Sequence, residues 1–194
     1  HWYRTALAID PTRRLDHEHI IYLMDSDPRT TEAEEQAERA AYFETCGRPA
    51  YAQRRPLCPN RDPDRPLRVG YVSGDWNFHS AAIAFSAAVL HHSDAIVPHI
   101  YSTLHPAHYD KVTRKTWMPA YKDWFYEVYG LTAKQLAAVI RDYEIDILVD
   151  LAAYTHKNRI STFAYRPAPL QIQAWGYVLG TASPAIDYVF ADRI

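Results

Sequence analysis

Residues 67–80 read LRVGYVSGDWNFHS, an apolar run that passes through glycine into an acid and a histidine. Leu67, Val69, Tyr71 and Val72 supply β-branched and aromatic bulk in a run too short for a helix, and Pro66 marks where a strand can begin. Gly70 and Gly74 let the backbone pack or turn tightly, and the small residues at 80–88 favour a helix lying close to that strand. Open α/β sheets place their ligands where a strand's carboxyl end meets the start of a helix, so Asp75, Asn77 and His79 stand where chemistry is expected. A plainer reading makes Asp75 a helix cap and His79 a turn residue.

Strand-like and helix-like segments alternate downstream. Residues 97–104, 124–128, 145–151, 170–177 and 186–190 read as strands. Residues 109–117, 131–143 and 158–165 read as helices, the second with Leu131, Leu136, Val139, Ile140 and Tyr143 at helical spacing behind Thr132. This alternation predicts an α/β fold, a Rossmann-like and mainly parallel sheet with flanking helices.

The upstream third differs. Residues 3–11, YRTALAIDP, predict a helix halted near Pro11, similar to the second helix of a tetratricopeptide repeat, but no second copy follows at the ~34-residue period. Residues 31–46 predict a helix capped by Thr30 or Thr31, rich in glutamate in its first turns and stopped by Gly47 and Pro49. Residues 48–66 hold five prolines and five arginines with little periodicity, which is linker composition. The expected organisation is a helical segment over 1–47, a linker over 48–66 and the α/β unit over 67–194.

Composition narrows the function classes. A formal net charge of −2 supplies no broad basic field, which argues against a nucleic-acid partner. No apolar run reaches membrane-spanning length, and the start HWYR has no signal-peptide pattern. Cys46 and Cys58 lack a Cys/His pair at zinc-ligand spacing, so no metal is expected and a reduced cytoplasmic setting fits. Fifteen Tyr, five Trp and ten His favour a binding surface, although aromatic residues are also core material. The start without Met suggests a fragment.

Three strand ends are expected to converge on one edge of the sheet. They bring together residues 74–79; Asp150, Tyr154, Thr155, His156, Asn158 and Arg159; and Gly176, Gly180, Thr181 and Ser183. Such a crevice suits a polar, hydroxyl-rich or phosphorylated ligand. The bland readings are a structural Arg159–Asp150 pair and surface histidines at 91, 92, 105 and 108. There is no P-loop and no GxGxxG fingerprint.

Taken in order, LRVGYVSGDWNFHS, DILVDLAAYTHKNR, FAYRPAPLQIQAWGY and SPAIDYVFAD resemble the catalytic region of the O-GlcNAc transferase family, including its SPINDLY-like relatives (glycosyltransferase family 41). The family pattern is close to LRVGYVSxDFxxH, DILVDLxGxTxxNR, FAxRPAPxQ, GYPGTTG and IDY, and the resemblance covers residues 67–192. The opening YRTALAIDP also resembles the last repeat helix before that region.

The resemblance implies the amino-terminal lobe of a GT-B fold and transfer of a sugar, GlcNAc from UDP-GlcNAc, to Ser or Thr hydroxyls without a metal or other cofactor. The implied partners are a protein or peptide acceptor, the nucleotide sugar, and a carboxy-terminal lobe that would follow Ile194. His79 matches the family's active-site histidine, with Asp75, Tyr154, Thr155, Arg159, Tyr177, Gly180 and Thr181 as substrate-binding candidates. An imidazole can take a proton from an acceptor hydroxyl near neutral pH, while amides or cations stabilise the leaving diphosphate.

This chain departs from the pattern in two places. Ala153 replaces the glycine after the VDL strand, and the GYPGTTG-like loop at residues 177–183 lacks the proline and has Leu179 for its first inner glycine. These departures leave a second reading open, a non-catalytic protein- or glycan-binding module derived from the lobe. An in-frame second Rossmann-like pattern beyond Ile194 would separate the two readings.

Overall fold

The computed structural model describes residues 1–57, 62–177 and 179–191. Its centre is strand β1 (Leu67–Ser73), flanked by β2 (Ile96–Ser102) on one side and β4 (Ile147–Asp150) on the other. Val72 stands opposite Tyr101 of β2 and Asp150 of β4. With β3 (Phe125–Glu127), β5 (Leu170–Gln173) and β6 (Tyr188–Val189) the order is β3-β2-β1-β4-β5-β6, and every ladder is parallel. The chain leaves β1 for β2 and β3 on one side and then crosses to β4 on the other. The sheet's topological switch point therefore lies between the carboxyl ends of β1 and β4.

A parallel sheet must be covered on both faces, and side chains alternate between them with period two. Val69, Tyr71, Ile100 and Val149 pack on one face with Phe85 and Val89 of helix α5 (Ser80–Val89) and with Trp76, Trp117 and Tyr121. Val72, Tyr101 and Leu148 pack on the other, against Leu136 and Ile140 of α7 (Ala133–Asp142) and Phe163 of α8 (Ile160–Phe163). Thr132 and Gln135 form a reciprocal capping box at the start of α7.

Helices α1 (Trp2–Ile9), α2 (Arg14–Met24) and α3 (Glu32–Tyr42) precede the sheet. The sequence pattern does not announce α2, because its inward face mixes Ile20 and Ile21 with buried Asp16, His17 and Glu18. Those charges have partners. Buried Glu38 of α3 receives Arg4 and, at 2.7 Å, His17 Nδ1. Buried Arg39 pairs with Asp25.

The expected stop at Gly47 and Pro49 does not occur. The helix widens into a π-turn over Phe43–Gly47 and continues as α4 (Arg48–Tyr51), inside the stretch read as linker. The same device recurs at the π-turn Thr113–Trp117, followed by α6 (Met118–Ala120) with Pro119 at its second position. A proline has no N–H and its ring clashes with the carbonyl four residues back, and a widened turn relieves both. Cys58 lies outside the described residues. Cys46 is a free thiol.

Strand β2 carries a buried imidazole. His99 is 1% exposed and lies 4.6 Å from the Trp124 ring, with Nδ1 3.2 Å from the Tyr126 hydroxyl. Burial, aided by the charge of Arg68, lowers its pKa to about 4. Between pH 4 and the unfolded value near ~6.5 the native state binds fewer protons, so stability present at neutral pH is lost as pH falls through this window. The loss approaches roughly 3 kcal/mol. Urea unfolding at pH 7 and pH 4 should show His99→Phe losing less stability than the wild type by up to that amount. Equal losses would show that His99 does not govern the acid response.

Candidate active site

At the switch point the carboxyl ends of β1 and β4 diverge, and α2 lies across the gap. The result is a cavity of about 570 Å³. Asp75 and His79 come from the β1 turn, Tyr154, Thr155, His156, Lys157, Asn158 and Arg159 from the β4 turn, and Gly176 from the loop after β5. Helix α2 adds Arg14, Glu18, His19 and Tyr22, which the sequence reading missed. Their one sequence signal is the Arg14–Glu18 pair at helical spacing, an ion pair of 2.5 Å here.

His79 sits at the start of α5 with extended backbone, and its Nδ1 accepts the Ala81 N–H at 3.2 Å. A neutral ring that accepts at Nδ1 carries its proton on Nε2, so in this arrangement His79 is a hydrogen-bond donor. Asp75 Oδ2 lies 3.8 Å from the same Nδ1. Closing that gap by about 1 Å would place the proton on Nδ1, free Nε2 to accept, and release the Ala81 amide. Burial raises the Asp75 pKa, while His79, Lys157 and His156 oppose the rise.

The β4 turn is internally braced. Asp150 is fully buried, accepts the Ala152 and Ala153 amides at 3.1 and 2.9 Å, and has its pKa raised by burial to about 6. Thr155 Oγ1 donates to Ala152 O at 2.7 Å, leaving its lone pairs open. Arg159 donates from Nη2 to Tyr129 O at 2.8 Å. Burial first, and Arg14 second, lower the Arg159 pKa, but a guanidinium stays protonated at neutral pH.

Tyr177, Gly180 and Thr181 lie outside the cavity lining. The Gly180 carbonyl accepts Arg39 Nε at 3.0 Å. Thr181 O accepts the Tyr154 hydroxyl at 2.7 Å, while its N–H donates to Gln173 at 3.0 Å. The Tyr177 ring packs near Tyr154, at 6.4 Å between centroids. Among the described residues no group of three or more His, Cys, Asp or Glu side chains is placed to hold a metal ion.

The cavity thus lies where open parallel α/β sheets place their ligands, at the switch point, with Asp75 and His79 on its rim. The chain belongs to glycosyltransferase family 41, whose model matches residues 13–194. It is 35% identical over 143 residues to a probable UDP-N-acetylglucosamine–peptide N-acetylglucosaminyltransferase SPINDLY from Arabidopsis thaliana, covering 69% of this chain and 15% of that protein. It is 28% identical over 128 residues to the corresponding SEC protein of the same plant, covering 66% and 13%. An O-GlcNAc transferase mutant from Thermobaculum terrenum superposes with a TM-score of 0.85 at 26% identity, covering 96% of this chain and 35% of that one. The chain thus spans about 15% of the length of the SPINDLY relative.

The departures from the family pattern now have a geometry. Ala153, at the glycine position after the VDL strand, and Ala182, in the GYPGTTG-like loop, have φ of +45° and +50°, left-handed values that favour glycine. The proline position, Val178, lies outside the described residues. Gly176 is constrained by space: a Cβ there would lie 1.5 Å from Leu151 O. Ala182 is exposed, so glycine there relieves strain without loss of packing. Ala182→Gly should stabilise the chain by about 0.5–1 kcal/mol and raise Tm by roughly 1–4 °C. Gly176→Ala should cost about 3 kcal/mol or more. Calorimetry reads both, and an unchanged Tm for Gly176→Ala would refute the close approach.

Proposed function

We propose that this chain forms the amino-terminal lobe of a protein O-glycosyltransferase that moves GlcNAc from UDP-GlcNAc to Ser or Thr hydroxyls of a peptide. The observation that carries the reading is the cavity at the β1/β4 switch point with Asp75 and His79 on its rim. The donor and acceptor named in its relatives' descriptions support it. The reaction needs no metal in this reading, the setting is cytoplasmic, and α1 is the last helix of a tetratricopeptide array.

His79 acts first as a positioning donor. Its Nε2–H holds an acceptor or sugar oxygen while Nδ1 caps α5. Proton uptake from the acceptor hydroxyl requires the ring to exchange the Ala81 amide for Asp75. Thr155 contributes acceptor lone pairs, and Arg14 and Arg159 offset the charge of the departing diphosphate. The cavity has one sheet edge and one helix for walls, so transfer requires a second lobe across it.

The full polypeptide encoded by the gene, incubated with UDP-GlcNAc and a serine peptide, should release UDP and add one sugar mass to the peptide, while residues 1–194 alone transfer nothing. Turnover by the 194 residues would remove the requirement for a second wall, and inactivity of the full polypeptide would favour the binding-module reading. Within the active polypeptide, His79→Ala should lower kcat/KM by about 100-fold or more. His79→Gln, which keeps a donor, should retain several-fold more activity than His79→Ala. Equal loss in the two variants would identify proton uptake, not positioning, as the dominant role of His79.

A further inference from the structure

A second cavity, of about 370 Å³, continues from the first along the carboxyl edge of the sheet. His105, Ala107, His108 and Tyr129 line it, together with His156 and Lys157, which also line the larger cavity. The Arg159–Tyr129 hydrogen bond ties the two together. No carboxylate lines the second cavity. The charge on its wall is positive in a chain whose formal net charge is −2.

Its donors are built into the backbone. His105 repeats the arrangement of His79: it precedes a helical turn (Pro106–His108), and its Nδ1 accepts the Ala107 N–H at 3.1 Å, leaving the proton on Nε2. Lys157 has φ of +65°, and its carbonyl accepts Thr103 Oγ1 at 2.9 Å. Its stem passes over Gly74, where a Cβ would lie 2.8 Å from the lysine Cβ. Among the described residues the Lys157 ammonium has no ion-pair partner within 4.0 Å, and the carboxylate that senses it, Asp75, belongs to the first cavity. A cation on a held stem and an imidazole with its proton on Nε2, with no carboxylate among the described residues of the lining, suit an oxyanion.

We propose that this cavity is a subsite for an acidic side chain of the acceptor peptide, seated beside the hydroxyl-bearing residue that enters the first cavity. The subsite rests on the acceptor-binding reading above. An oxyanion could also come from the nucleotide sugar's diphosphate. The peptide is the better fit because the cavity extends away from the Asp75–His79 pair, along the β2 and β3 loops, whereas a leaving diphosphate must stay at the reacting carbon.

The test is fluorescence anisotropy of the chain with labelled serine peptides in which one flanking residue at a time is Glu or Gln. One flanking position should bind roughly 3- to 10-fold tighter as Glu than as Gln at low salt, with the preference shrinking as salt rises. Lys157→Asn, which tolerates the left-handed backbone, and His105→Gln should each reduce that preference to near parity while leaving the Gln peptide's affinity and the thermal midpoint unchanged. Equal binding of Glu and Gln peptides at every position, or no peptide binding, overturns the subsite. If UDP abolishes the Glu preference in proportion to its own occupancy, the oxyanion belongs to the nucleotide and the peptide assignment fails. Transfer without acidic preference would sink the subsite and leave the proposed activity intact. Acidic preference in binding without transfer by the full polypeptide would do the reverse.

Discussion

The walls of the site meet at one buried hydroxyl. A tyrosine O–H taken out of water must find an acceptor, and Tyr154, at the tip of the β4 turn, finds the carbonyl of Thr181 in the loop after β5. Its ring meets Tyr42 of α3 edge-on at 5.2 Å. One side chain therefore fixes two loops of the α/β unit and the helical segment in front of it. Arg39 repeats the logic by reaching the adjacent Gly180 carbonyl from the same helix. The cavity depends on this docking, since Ile21 of α2 and Tyr42 of α3 pack together with Ala153, Tyr154 and Ile160 and hold the helical segment against the sheet.

Polar groups at the two ends of the sheet are used differently. At the amino end Arg65 and Asp146 pair through both oxygens, and Asp146 also accepts the Arg68 amide at 2.9 Å. At the carboxyl end Asp75, Lys157 and the outward nitrogens of His79 and His105 keep bonding capacity that the fold does not consume. Polar groups that the fold leaves without internal partners at one edge are available to a ligand there.

How much of this the sequence revealed depended on periodicity. The short apolar run of Val69, Tyr71 and Val72 and the helical spacing in α7 survive because their apolar side chains go into the core. The expected convergence of strand ends on one edge of the sheet brought Asp75, His79, Thr155 and Arg159 together, and the structure places all four around one cavity. Helix α2 escaped because its inward face carries Asp16, His17 and Glu18, and the partner that buries His17, Glu38, lies 21 residues away on α3. The roles of Tyr154 and Thr181 were hidden for the same reason: their hydrogen bond joins residues 27 apart in sequence. Gly47 and Pro49 misled because the rule that they end helices assumes an ordinary α-helical turn.

The two π-turns bear on how family members are compared. A π-turn is an α-turn with one residue more, so each marks a place where a one-residue change in length can be absorbed inside a helix without a loop. Phe43–Gly47 and Thr113–Trp117 are such places. A gap of one position there, when this chain is aligned with a relative, would be a true difference in helical winding and should not be smoothed away. Residues after it keep their facing toward the sheet only if the gap is honoured.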